Sequence, residues 1–345
     1  MSGSADPRSG VLCAGTAVVD VNKVIDAYPQ LDHLAMIEEV FVGTGGAALN
    51  LSADLRHLGA TFPIGVLGAI GDDDNGAIIL RECQRLGIDT SGIRTIAEAA
   101  TSFTDAMVER GGGRRTFFHH YGANALFDAA DADLESAHAR ILHAGILGLH
   151  PLMDAPLPGG GNRWGLLLER AREAGLHTNL ELASLEPEAV RAVALPCLAL
   201  ADSIIINELE AGAITGIGVA APSADAAVDW PALEAMATGL IDLGIQRLAV
   251  VHFPAGCVAA DPQGNLWRQG SVRLPRERAR SATGAGDALA AGVLFGLHEE
   301  WPVARCLRLG VAAAASCVQS PYTSAGIRPA DDCLIEADEL GYRPT

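Results

Sequence analysis

Short apolar runs bounded by Gly, Asp or Asn alternate along most of the chain with longer stretches in which apolar residues recur at helical spacing. The first pattern predicts buried strands, the second amphipathic helices. Residues 11–19 read as a strand broken by Gly15 and ended by Asp20. Ala48, Leu51, Leu55 and Leu58 fall on one face and predict a helix over 47–58, stopped by Gly59. Residues 62–69 predict a strand and 77–86 a helix closed by Gly87. Beyond these, 146–149, 176–180, 203–206 and 248–252 read as strands, with helices over 164–173, 188–194, 208–214 and within 230–243. Such alternation with apolar strands argues for a mainly parallel sheet covered by helices on both faces.

Two segments stand outside this rhythm, about 21–42 and 101–121. In the second, two β-prone runs flank Gly111-Gly112-Gly113, which predicts a hairpin with a flexible tip. Together they are candidates for a small β lid over the C-terminal edge of the sheet, where α/β sheets bind ligands. Residues 1–10 read as a loose tail ahead of one domain spanning 11–345, and 156–161 and 216–231 as surface loops.

Composition narrows the function. The 345 residues are 49% hydrophobic, enough for a sizeable core. Against 42 acidic side chains stand 24 basic ones, a formal charge of −18, which argues against nucleic acid or an anionic membrane as partner. Seven cysteines without C-x-x-C spacing argue against a disulfide framework or zinc site, and ten histidines contain no H-E-x-x-H. His119 and His120 adjoin in a predicted strand and point to opposite faces, a poor start for a metal site. No apolar run is long enough to span a bilayer, and a cytoplasmic protein is expected.

The candidate chemistry centres on Ser281-Ala282-Thr283-Gly284-Ala285-Gly286-Asp287, which runs into an apolar helix over 288–297. A buried helix opened by Gly-Ala-Gly presents unpaired N–H groups that suit phosphate or a developing oxyanion. Asp287 in its first turn could accept a proton beside that cradle, the arrangement phosphoryl transfer to an alcohol needs, or could merely cap the helix. Gly43-Thr44-Gly45-Gly46, ahead of Asn50, reads as loop-to-helix packing, as a hinge beside a hydroxylated ligand, or as a loose dinucleotide fingerprint of a nicotinamide enzyme. Asp20 could accept two hydroxyl protons from a polyol or satisfy loop N–H groups. Asn207 and Glu210 share a helical face; they form a capping-box pair or hold waters around Mg²⁺ accompanying nucleotide phosphates. Arg114 and Arg115, past the Gly tip, are exposed charges or reach an anionic group on a ligand.

In order and spacing, Gly15…Asp20, Gly45-Gly46…Asn50, Gly71-Asp72-Asp73…Gly76, Asn207-x-x-Glu210 and Thr283-Gly284-Ala285-Gly286-Asp287 make the chain resemble the ribokinase/PfkB family of carbohydrate kinases over nearly its whole length. The resemblance implies a three-layer αβα fold with a β lid. It implies transfer of the ATP γ-phosphoryl group, with Mg²⁺, to a hydroxyl of a sugar or, as the alternative, a nucleoside. By the same resemblance Asp287 is the base, Gly284, Ala285 and Gly286 the anion hole, Asn207 and Glu210 organise Mg²⁺ and phosphate, and Asp20, Gly45, Gly46 and Asn50 bind the acceptor. Paired lids imply a homodimer. A non-catalytic sugar- or nucleotide-binding protein on the same fold is the competing class.

Three departures from the family pattern stand out. Ser281-Ala282-Thr283 replaces the usual Asp-Thr-Thr, and the missing carboxylate counts against a monovalent-cation site. His252-Phe253-Pro254-Ala255-Gly256 replaces a Thr-x-Gly-x-x-Gly loop near the nucleotide. Asn179-Leu180-Glu181 stands where the family has Asp-x-Asn.

Overall fold

The computed structural model describes residues 8–110, 115–129, 132–134, 138–218, 228–320 and 324–345. Residues 1–7 of the expected tail, the hairpin tip at 111–113, Arg114, and 219–227 within the loop at 216–231 lie outside the described residues. Ser9 and Gly10 are tied into the fold by bonds to His138 and His298.

A nine-stranded sheet forms the middle layer. Its parallel part comprises β1 (Val11–Gly15), β4 (Ile64–Ile70), β5 (Asp89–Thr95), β8 (Ile141–Leu147), β9 (His177–Leu182), β10 (Ser203–Asn207) and β11 (Leu248–Phe253). β12 (Gly256–Ala260) and β13 (Leu266–Gly270) extend it antiparallel, giving the order β13-β12-β11-β10-β9-β8-β1-β4-β5.

Odd-numbered residues of β1, such as Val11 and Cys13, face one core, with α1 (Ala47–His57), α2 (Asp74–Leu86), α8 (Ala285–His298), α9 (Val303–Cys317) and α10 (Ala330–Leu340). Leu12 and Ala14 face the other, with α4 (Arg163–Glu173), α5 (Pro187–Leu198), α6 (Glu208–Thr215) and α7 (Trp230–Asp242). The short α3 (Pro151–Asp154) follows β8. The alternation of strand faces thus builds three αβα layers.

A second sheet, in order β3-β2-β6-β7, pairs β2 (Val18–Ile25) and β3 (Ile37–Gly45) with β6 (Phe103–Glu109) and β7 (Arg115–His120). These strands come from the two segments that break the alternation.

The run 11–19 is not one strand. It divides at Thr16 and Ala17 between the two sheets, so Asp20 lies within β2 rather than at the end of β1. Gly15 makes the crossing possible: its φ is +132°, and a Cβ there would lie 1.5 Å from the Gly145 carbonyl oxygen. Thr16 Oγ1 lies 2.9 Å from His150 Nε2, and Asn124 Nδ2 donates to the Ala17 carbonyl at 3.0 Å, which holds the crossing in place.

β8 starts five residues before the 146–149 expected, because His143 and Gly145 interrupt the apolar signal of a buried strand. β5, a polar edge strand reading DTSGIRT, carries no apolar alternation that periodicity could find. No helix among the described residues is long and apolar enough to cross a membrane. All seven cysteines are buried, and none is joined in a disulfide among the described residues.

Candidate active site

α8 begins with no side-chain cap. Gly284 is left-handed at φ +81°, and Ala285 and Gly286 follow in the first turn. The leading N–H groups of a helix lack intrahelical acceptors, so an uncapped start can offer them to an anion. Asp287 completes the turn. Asn50 Nδ2 of α1 donates to its Oδ2 at 2.7 Å, across 237 residues of sequence.

Glu181 at the end of β9 lies against Asp287, carboxyl beside carboxyl. Burial, then the adjacent Glu181, hold the Asp287 carboxyl well above the usual carboxylate range. Burial likewise pushes Glu181 up to about 7. His143 of β8 also approaches Glu181, with Nε2 3.0 Å from Oε2. The ring N–H is not aligned with that oxygen, so the pair is in close contact rather than well hydrogen-bonded.

Asp20 reaches the site from the second sheet, opposite Gly43 of β3 and Thr104 of β6. Its carboxyl lies directly over Gly45, where a Cβ would sit 2.0 Å from Oδ2, so only glycine fits beneath it. Burial raises Asp20 to about 6; Thr104 opposes the rise and Asp287 adds to it. Gly46 is the N-cap of α1, which carries Asn50. Gly43–Gly45 are therefore the end of an antiparallel edge strand that enters α1 at Gly46, not a turn after the parallel strand that a dinucleotide fold requires.

Asn207 and Glu210 form the capping box in full. Asn207 Oδ1 accepts from the Leu209 and Glu210 N–H groups at 2.9 Å, and Glu210 Oε2 accepts from the Asn207 N–H at 3.1 Å. Glu210 Oε1 also accepts from Ser184 Oγ at 2.7 Å. Both residues still line a cleft of about 170 Å³, shared with Glu181, Ser184, His252 and Gly286. A wider groove of about 470 Å³ continues outward past Ser184, Leu185, Leu209 and Glu210. Burial pushes Glu210 up to about 7 and holds His252 down at about 4.

Arg115, at the start of β7, crosses to the loop ahead of α8. Its guanidinium donates to Ser281 Oγ at 2.8 Å and to Thr283 Oγ1. The site thus brings Asp20, Gly45, Asn50, Asp287, Glu181 and, one cleft further, Glu210 into one neighbourhood at the C-terminal ends of β8 to β11. Glu181 was visible in the sequence only as a departure from a pattern. His143 gave no signal beyond being a histidine in an apolar run.

A family model described as pfkB family carbohydrate kinase matches residues 9–330. The chain is 33% identical over 102 residues to the ATP-dependent ribose-1-phosphate kinase of Halopiger xanaduensis, a match covering 30% of this chain and 34% of that one. It is 27% identical over 349 residues to probable fructokinase-7 of Arabidopsis thaliana, covering 97% and 93% of the two. Its fold matches that of Arabidopsis thaliana ribokinase complexed with ribose and ATP, with a TM-score of 0.78 at 19% identity, over 96% of this chain and 99% of the other. With a family match over nearly its full length, the chain belongs to the pfkB family of carbohydrate kinases.

Proposed function

We propose that the enzyme transfers the ATP γ-phosphoryl group to a hydroxyl of a sugar or sugar-like alcohol, with Asp287 as the base. The observation that carries this reading is the position of the Asp287 carboxyl, held by Asn50 beside the uncapped start of α8. The acceptor lies between the small sheet and α1, its hydroxyls met by Asp20 and Asn50 and its ring approaching the backbone at Gly45 and Gly46. Asp287 takes the proton as the acceptor oxygen attacks phosphorus. The N–H groups of Ala285 and Gly286, with Gly284 setting their direction, hold the charge that builds on the phosphoryl oxygens. The small sheet acts as the lid that excludes water, which would otherwise compete as acceptor.

Oxygen donors at Glu210, Asn207 and Ser184 around the inner cleft suit Mg²⁺, which keeps several waters and is held here through that shell. Bound with the nucleotide, it neutralises phosphate charge. The loop at Ser281 does not suit a monovalent cation: a hydroxyl replaces the family carboxylate, and the Arg115 guanidinium already donates to it.

The exposed side chains Val40, Val42 and Phe118, which share one face of the small sheet, support a homodimer paired through the lids. A solution mass of twice 35.7 kDa is expected by sedimentation; a monomer overturns the pairing. Seven buried cysteines outside any disulfide among the described residues support a reducing, cytoplasmic location.

The test is an ADP-release assay over a panel of sugars, sugar phosphates and nucleosides. Turnover with a sugar supports the reading, and turnover confined to nucleosides moves the acceptor class. Binding without turnover on any acceptor makes the protein a binder and sinks the proposal.

A further inference from the structure

Asp287 does not act alone in this site. Its carboxyl has two side-chain partners, Asn50 and Glu181, and Glu181 has a third group behind it, His143. The orientation of His143 follows from its own neighbours. Asn179 Nδ2 lies 2.9 Å from His143 Nδ1, and Asn179 Oδ1 accepts from Ser203 Oγ at 2.8 Å. With the amide so placed, Nδ1 is the acceptor and the ring proton sits on Nε2, the nitrogen facing Glu181. Burial keeps this imidazole neutral, down at about 4. A line of polar side chains therefore runs across three strands, Ser203 on β10, Asn179 on β9 and His143 on β8, and ends at the Glu181–Asp287 pair under α8.

We infer that Glu181 is a positioning residue for the base: packed against His143, its carboxyl fixes Asp287 toward the acceptor, and the two carboxyl groups share a proton. This rests on the reading of Asp287 as base. It also accounts for both changes in Asn179-Leu180-Glu181. A carboxyl at 181 meets Asp287, and the amide at 179 sets the tautomer of the histidine that faces it.

The electrostatics support the pairing. Two buried carboxyl groups in contact cannot both ionise readily. The other titratable groups facing the pair are Asp20 from β2, Asp54 from α1, Glu210 from α6, His143 from β8 and the thiols of Cys13 from β1 and Cys317 from α9. His252 of β11 lines the same cleft and is held neutral by burial, so no cationic side chain among these neighbours compensates the charge. Before reaction the pair carries one proton. The acceptor O–H bond breaks as its oxygen bonds to the γ-phosphorus, and that proton goes to Asp287. The bond from phosphorus to the bridging oxygen breaks, leaving its electron pair on ADP. The pair then holds two protons and returns one to water after product leaves.

The test uses the ligand-free protein and the turning-over enzyme. By difference infrared spectroscopy between pH 5 and 9, wild type should show a protonated carboxyl band that titrates near neutrality, lost or shifted in Glu181→Gln. Absence of such a band in wild type overturns the inference, whatever the variants do. In kinetics with the best acceptor of the panel, removing Glu181 lowers the pKa of Asp287. The base then stays ionised to lower pH, and the acid limb of kcat/KM moves down by about one unit or more in Glu181→Gln, with the acceptor KM within about twofold. Glu181→Asn, the residue of the family pattern, should move it the same way. An unmoved limb with a raised Mg²⁺ requirement would instead make Glu181 a metal-organising group and defeats the inference. Full turnover by Asp287→Asn is the separate result that removes the base reading itself.

Discussion

Asp54 of α1 is a carboxyl buried beside Asp287. It is 1% exposed, and only the Ser324 hydroxyl offsets its burial. Burial, then the nearby charge of Asp287, hold its pKa well above the usual range. A carboxyl whose pKa is raised on folding costs progressively more stability as pH climbs above its unfolded value of about 4. Asp54→Asn is therefore expected to raise Tm at pH 8 by about 2–4 °C or more, with little change at pH 5, read by calorimetry. Asp287→Asn should leave Tm unchanged or slightly higher and lower kcat by about 10²–10⁴-fold. Wild-type turnover by that variant is the outcome that would falsify the assignment of the base.

At the scale of elements, α8 does two jobs through its glycines. Its start depends on Gly284, whose left-handed backbone aims the following N–H groups; Gly284→Ala should cost about 1–2 kcal/mol and reduce kcat more than it raises the acceptor KM. Its middle lies against α9: a Cβ on Gly292 would fall 2.7 Å from Gly310 Cα. Gly292→Ala is expected to cost about 1–3 kcal/mol in denaturant melts without moving the acid limb of kcat/KM. Periodicity and caps located most helices within a few residues, since both signals are local. The division of 11–19 between two sheets was not legible, because Gly15 announces a break but not which sheet the chain enters next.

For the whole molecule, pH sets two groups of buried residues against each other. His143, His150, His177 and His252 are each held down at about 4 by burial. Between about pH 4 and 6.5 the unfolded chain binds more protons at these sites, so they make stability rise with pH. Asp20, at about 6, and Glu181 and Glu210, at about 7, act in the opposite sense over that range, as do Asp54 and Asp287. Above about pH 6.5 the histidine effect fades as the unfolded chain also loses these protons, while the carboxyl effect persists. The ligand-free protein should therefore melt at a lower temperature at pH 8 than at pH 6.5. A Tm that is flat or rises across that interval contradicts the burial of these carboxyls.

The chain by itself determined the layers of the fold, the ordered motifs and the placement of Asp287 in the first turn of a buried helix, because strand alternation, helical spacing and glycine turns act over a few neighbouring residues. Tertiary structure alone decided that Asn50 meets Asp287, that Asp20 arrives from a different sheet, that Arg115 crosses to Ser281, and that Glu181 and His143 lie beside Asp287. Those contacts join residues far apart in sequence. The proton affinity of a carboxyl depends on what packs around it in space, and no local pattern in the sequence encodes that.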